Sequence, residues 1–115
     1  MSSTHEFGLI DNINNQTDFE GYNPEKYNCI SVDDELIESL FENLFIMKTY
    51  FHSLNRPEFC LAYCGITLIP PNSLSLFYDV VTSSREFENS RELEKLALKI
   101  QQAIKEMKHM IHYGV

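Results

Sequence analysis

Tyr27-Asn-Cys-Ile-Ser-Val-Asp-Asp-Glu-Leu-Ile-Glu-Ser-Leu-Phe41 changes its period halfway along. Its first six residues alternate and carry the β-branched Ile30 and Val32, the pattern of a strand. From Leu36 the apolar positions recur at spacings of three and four: Leu36, Ile37, Leu40, Phe41, Leu44, Met47, Phe51 and Leu54. That stripe predicts one helix running to about Ser53, ended by Asn55-Arg-Pro57 because proline disfavours a helical conformation in the residue before it. Ser31-Val-Asp-Asp34 has the spacing of a capping box, and Asp33, Asp34 and Glu35 place negative charge at the positive end of the helix dipole.

Working outward, residues 6–10 form a short candidate strand and residues 11–22 a polar Asn-rich stretch, predicted to be a mobile loop over about 11–23. Downstream, Phe59-Cys-Leu-Ala-Tyr-Cys-Gly-Ile-Thr-Leu-Ile69 is apolar on both faces, which predicts a central strand. Pro70-Pro71 stops it, and Asn72 or Ser73 caps a short helix burying Leu74, Phe77 and Val81. Ser90 caps a further helix with the stripe Leu93, Leu96, Ala97, Ile100, Ala103, Ile104 and Met107. The alternation of Ile111, Tyr113 and Val115 predicts a terminal strand, with His112 facing the other way. The reading is an α+β fold in a single domain over residues 1–115. Its order is β-β-α-β-α-α-β, an antiparallel or mixed sheet of about four strands packed against about three helices.

The chain has 115 residues, 43% of them hydrophobic and 12% aromatic, enough for one core and against intrinsic disorder. Charge is lopsided. Residues 1–45 hold ten acidic side chains against the single base Lys26, so the front of the chain carries the whole excess behind the net charge of −8. Such a field repels nucleic acid and anionic membrane and attracts a cationic partner. The start of the chain lacks a basic segment followed by an apolar one, and its longest nearly apolar run has eleven residues. Neither a secretory signal nor a bilayer span is expected, which points to a cytoplasmic protein.

Candidate chemistry is sparse. His109 and His112, with His52 or Tyr113, could form a general acid–base pair, but a helix end and an outward strand position account for both. Cys29, Cys60 and Cys64 are an odd number of thiols, read as buried and reduced; Cys60 and Cys64 lack the usual zinc spacing, and His109 and His112 would supply a second ligand pair only if the terminal strand lay beside the central one. No nucleophile elbow, phosphate loop or dinucleotide fingerprint occurs. The reading is therefore no enzyme, no catalytic residue, no metal and no cofactor. Tyr22, Tyr27 and Tyr50 are the aromatics expected near the surface, where aromatics anchor interfaces.

Small size, an acidic front and an uninterrupted α+β core resemble the immunity proteins of bacterial polymorphic-toxin and contact-dependent inhibition systems. Pro24-Glu-Lys-Tyr-Asn-Cys-Ile-Ser-Val-Asp-Asp34, Met47-Lys-Thr-Tyr-Phe-His52 and Gly65-Ile-Thr-Leu-Ile-Pro-Pro71 are the segments that carry this likeness. The resemblance implies a protein-binding inhibitor that neutralises a cationic toxin domain, commonly a nuclease, with carboxylates standing in for substrate phosphates. The partner-binding candidates are Asp33, Asp34, Glu35, Glu38 and Glu42, with Asp18 and Glu20 on a loop expected to adjoin them. A self-associating or regulatory module is the competitor, marked by an exposed apolar face around Leu74 and Leu76 or a free C-terminal edge strand; a small histidine-based hydrolase or nuclease is third.

Overall fold

A computed structural model describes residues 3–115. Six strands form one antiparallel sheet: β1 (Thr4–Leu9), β2 (Ile30–Asp33), β3 (Lys48–Phe51), β4 (Pro57–Phe59), β5 (Ile66–Ile69) and β6 (Met110–Tyr113). Four helices accompany them: α1 (Asp34–Glu38), α2 (Phe41–Leu44), α3 (Leu74–Thr82) and α4 (Arg91–Glu106). The sheet order is β2-β1-β6-β5-β3-β4. The class is α+β as read, but with six strands and four helices.

The sheet is a middle layer. On one face Phe7, Leu9, Val32, Ile69 and Met110 pack beneath Phe77 and Val81 of α3 and Leu93, Leu96 and Ile100 of α4. On the other, Ile66, Leu68, Ile111 and Tyr113 are covered by Ile10, Phe19 and Tyr27, supplied by β1's end and the long segment between β1 and β2. The two faces explain why β5 and β6 are buried at every position: a strand covered on both sides has no solvent-facing residue. The polar segment at 11–23 is thus part of a layer, anchored by Phe19 and by a bridge between Asp18 and Ser53.

Local signals hold where neighbours in sequence decide. Asp33 accepts a hydrogen bond from the backbone N–H of Glu35 at 3.0 Å, and α1 starts there. Ser90 accepts from Leu93 N–H at 3.1 Å and starts α4, which ends on Met107 in the left-handed region. Ile104 and Met107, expected on the buried stripe, face solvent instead.

Two expected elements are divided. The helix read from Asp33 to Ser53 breaks into α1, α2 and strand β3. Ile37, Leu40, Leu44 and Met47 are still buried, so the stripe identified core residues, yet Ser39 donates its hydroxyl to Leu36 O at 2.6 Å at the end of α1. Beyond the break, Lys48-Thr-Tyr-Phe51 finds strand partners on both sides in β4 and β5, which outweighs its helical spacing. The strand read over residues 59–69 is likewise two strands, because Cys60 at φ +66° and Gly65 at φ +113° turn the chain between β4 and β5. The C-terminal strand forms as read, and as β6 it lies between β1 and β5, so it is not the free edge that would mark the self-associating competitor.

Candidate functional site

Register on three adjacent strands assembles a polar chain inside the helix-facing layer. His112 of β6 sits opposite Phe7 of β1 on one side and opposite Thr67 of β5 on the other. Residues two apart on a strand share a face, so His5, two before Phe7, stands diagonally beside His112. The rings stack with centroids 5.0 Å apart, and Nδ1 of His5 lies 2.8 Å from Nε2 of His112. Nδ1 of His112 is 3.0 Å from the Thr67 hydroxyl, which also accepts from Ala62 N–H at 2.8 Å. His5, His112 and Thr67 are all fully buried.

At the other end the chain reaches the surface. Asp34, held at the start of α1 by a backbone bond from its N–H to Ser3 O, accepts from Nε2 of His5 at 2.8 Å. Its second oxygen accepts from the hydroxyl of Tyr63 at 3.0 Å. The Asp34 side chain is 18% exposed and Tyr63 is 44% exposed, so the carboxylate joins a buried imidazole to an aromatic in solvent. The Tyr63 ring also meets Phe41 and His5 edge-on.

With Asp34 ionised and both imidazoles neutral, one orientation satisfies every contact, because a neutral imidazole has one donor and one acceptor. Thr67 donates to His112, His112 donates from Nε2 to His5, and His5 donates from Nε2 to Asp34. Burial drives His112 well below the ordinary histidine range, and the neighbouring His5 pushes the same way. Donation to Asp34 raises the Tyr63 phenol.

Chemically this arrangement holds a helix to a sheet. Hydrolysis is a poor use of it, since Thr67 is fully buried and both nitrogens of His112 are engaged. For the same reason the grouping of His52, His109 and His112 does not form. His52, at φ +63°, turns its ring onto Gly65 and accepts from Ile66 N–H at 3.4 Å. His109 is half-buried before β6, and desolvation lowers it. Among the described residues no three His, Cys, Asp or Glu side chains converge as a metal site. Cys60 is buried and Cys29 half-buried, its thiol pushed up to about 12 mainly by burial, but Cys64 is exposed, contrary to the expectation that all three are buried.

The acidic candidates divide. Asp33, Asp34, Glu35, Glu38 and Glu42 lie together along α1 and α2. Asp18 and Glu20 flank Phe19, which packs on the opposite face of the sheet, so their loop does not adjoin α1. Among the described residues the Lys or Arg ion pairs to carboxylate are those of Lys108 with Asp11 and Glu106. No cation from the rear half ties up α1, where a further carboxylate, Glu92 of α4, accepts from Asp33 N–H at 2.7 Å.

Sequence reasoning missed His5, Thr67 and Tyr63. A strand started at Thr4 instead of Glu6 would have put His5, Phe7 and Leu9 on one face and flagged a buried histidine. Of the tyrosines expected at the surface, Tyr22 is exposed at 62%, Tyr50 is half-buried, and Tyr27 is buried on the sheet face opposite α3 and α4. No protein family, curated protein or solved structure matches the chain.

Proposed function

We propose that this chain is a non-enzymatic protein-binding inhibitor, an immunity protein that neutralises a cationic toxin domain through the shoulder formed by α1, α2 and Tyr63. One observation carries the reading: an exposed aromatic, Tyr63, stands bonded to Asp34 and within the field of Glu38, with no lysine or arginine pairing α1 among the described residues. Aromatic anchors ringed by charge supply binding energy at interfaces, while the unpaired carboxylates speed encounter with a basic partner. Asp18 and Glu20, on the other face, lie outside this contact. No helix among the described residues is long and apolar enough to cross a membrane.

The test is binding to the product of the neighbouring gene, followed by Glu38→Lys with Glu42→Lys. A 1:1 complex whose association slows by about tenfold or more and loses salt dependence in the double variant supports the reading. Absence of a complex, or affinity unmoved by the reversal, removes it.

A second reading, self-association, is favoured by the free β4 edge, where Phe59 is 53% exposed and Phe45 and Ile46 of the α2–β3 connection are exposed too. Its expected markers are absent: Leu74 is buried, Leu76 is half-buried, and the C-terminal strand is central. Light scattering decides it, since a concentration-independent monomer mass excludes this use of β4.

A further inference from the structure

The chain Thr67, His112, His5, Asp34 is continuous from the middle of the sheet to the surface, and each link is 2.8 to 3.0 Å long. Its empty state has one direction, from the threonine hydroxyl toward the carboxylate. One proton taken up by the pair is accommodated when the hydrogen between the rings passes from Nε2 of His112 to Nδ1 of His5, giving His5 an N–H at both nitrogens, with the added proton on Nδ1 of His112. Nδ1 of His5 must then donate, so His112 accepts at Nε2 and carries its hydrogen on Nδ1. That hydrogen points at the Thr67 oxygen, which has two acceptor positions and fills the other from Ala62 N–H. The contacts are kept and the direction between the two rings and Thr67 is reversed, at the cost of the acceptor that the Thr67 hydroxyl hydrogen had in His112. A second proton has no such arrangement, because two N–H groups would face each other across 2.8 Å between rings with no exposed surface.

The groups around the pair point the same way. Asp34 of α1 meets His5 directly, and Tyr63 meets its ring edge-on; Phe41 of α2 and Phe7 of β1 close the sides with aromatic edges and faces, while farther out Glu92 of α4 bonds the N–H of Asp33 and Glu38 acts on Tyr63. The carboxylate of Asp34, 2.8 Å from His5, offers a counter-ion for one positive charge on the pair, and burial opposes two.

We propose that His5 and His112 form a one-proton store governed by Asp34, whose filling reverses the hydrogen bonds beneath α1 and cancels one negative charge on the acidic shoulder. Filled, the store turns the His5 contact with Asp34 into an ion pair that grips α1; empty, it leaves the Asp34 contacts to His5 and Tyr63 in place but its negative charge uncancelled. Mild acid therefore weakens the cation-attracting field of the shoulder without opening the fold. This goes beyond the docking reading and stands without it, since the test uses the free protein.

The experiment is nitrogen-resolved NMR of the histidine rings in the full chain, from about pH 8 downward. Expected at the start is the Nε2–H form on both rings. As the pH falls, His5 gains a second N–H while His112 changes from Nε2–H to Nδ1–H at the same midpoint, and the amides of Glu35 and Glu38 shift with it. Asp34→Asn keeps the shape and removes the charge, and is expected to weaken proton uptake about tenfold. Tyr63→Phe removes a hydrogen bond from the ionised carboxylate at an exposed position, and is expected to strengthen uptake. Tautomers that stay constant throughout the folded range, two cationic rings in the folded protein, or a midpoint indifferent to both variants would each overturn the proposal. Should Asp34→Asn not fold, the wild-type tautomer reversal and Tyr63→Phe decide it.

Discussion

Nδ1 of His5 and Nε2 of His112 lie 2.8 Å apart although 107 residues separate them in the chain, and neither ring is exposed. The contact ties the first strand to the last, and through Asp34 it ties both to α1. Buried polar groups cost free energy unless every one is matched, so the consequences of breaking this chain follow from what each deletion leaves unpaired.

His112→Leu fills the site with an apolar side chain but leaves Nδ1 of His5 without a partner in a dry core. A loss of about 2–4 kcal/mol of unfolding free energy is expected in urea titrations. Thr67→Val removes the donor to His112 and the acceptor for Ala62 N–H together, at nearly constant volume, and is expected to cost about 1–3 kcal/mol. A loss below about 0.5 kcal/mol in both variants would show that the chain contributes nothing to the fold.

Acid should destabilise the protein through His112. Its folded-state affinity for a proton is depressed by burial, so between the folded value and the ordinary unfolded value the unfolded chain binds more protons. Stability is therefore fully present above about pH 6.5 and falls as the pH drops below it, by about 1.4 kcal/mol per pH unit for each excess proton. Unfolding curves at neutral and mildly acid pH check this, and His112→Leu should flatten the dependence. The half-buried His109 adds in the same direction.

Gly65 occupies a corner closed to other residues. Its φ is +113°, and a Cβ there would lie 2.6 Å from Nε2 of His52, whereas Gly21, at φ +78°, meets nothing nearer than 3.5 Å. Gly65→Ala should cost about 2 kcal/mol or more and Gly21→Ala about 1 kcal/mol. Thermal melts of the two variants supply the comparison, and His52→Ala should return part of the Gly65→Ala loss by clearing the clash while leaving the backbone strain.

If the α1 shoulder is the docking face, Tyr63→Ala should weaken the complex by about 2 kcal/mol, the scale of a central aromatic anchor. Stability should move by less than about 1 kcal/mol, because the ring is exposed and its hydroxyl bonds a carboxylate with access to water. Calorimetric titration against the partner together with a melt of the free variant separates the two effects. Unchanged affinity would move the interface away from Tyr63.

Ser90 starts α4 where its side chain was read to do so, and α1 starts where a helix was read but on Asp33 instead of Ser31, because a cap is a bond between residues two or three apart and either side chain stood within reach in sequence. The burial of Ile37, Leu40, Leu44 and Met47 was legible for a similar reason: apolar spacing reports which side chains avoid water, whatever the backbone does. What the spacing could not report was that residues 48–51 leave the helix, since that depends on β4 and β5 offering hydrogen bonds on both sides. The acidic shoulder was legible as composition; that Asp18 and Glu20 sit apart from it depends on which sheet face Phe19 covers.

Composition, period and capping chemistry, all written locally along the chain, therefore determined an acidic α+β domain and the starts of its main helices. The tertiary structure alone decided that β6 inserts between β1 and β5, and with it that His5, His112 and Thr67 meet. The reason is physical: strand order is set by burying both faces of one sheet at once, a condition on the whole chain that no stretch of neighbouring residues carries.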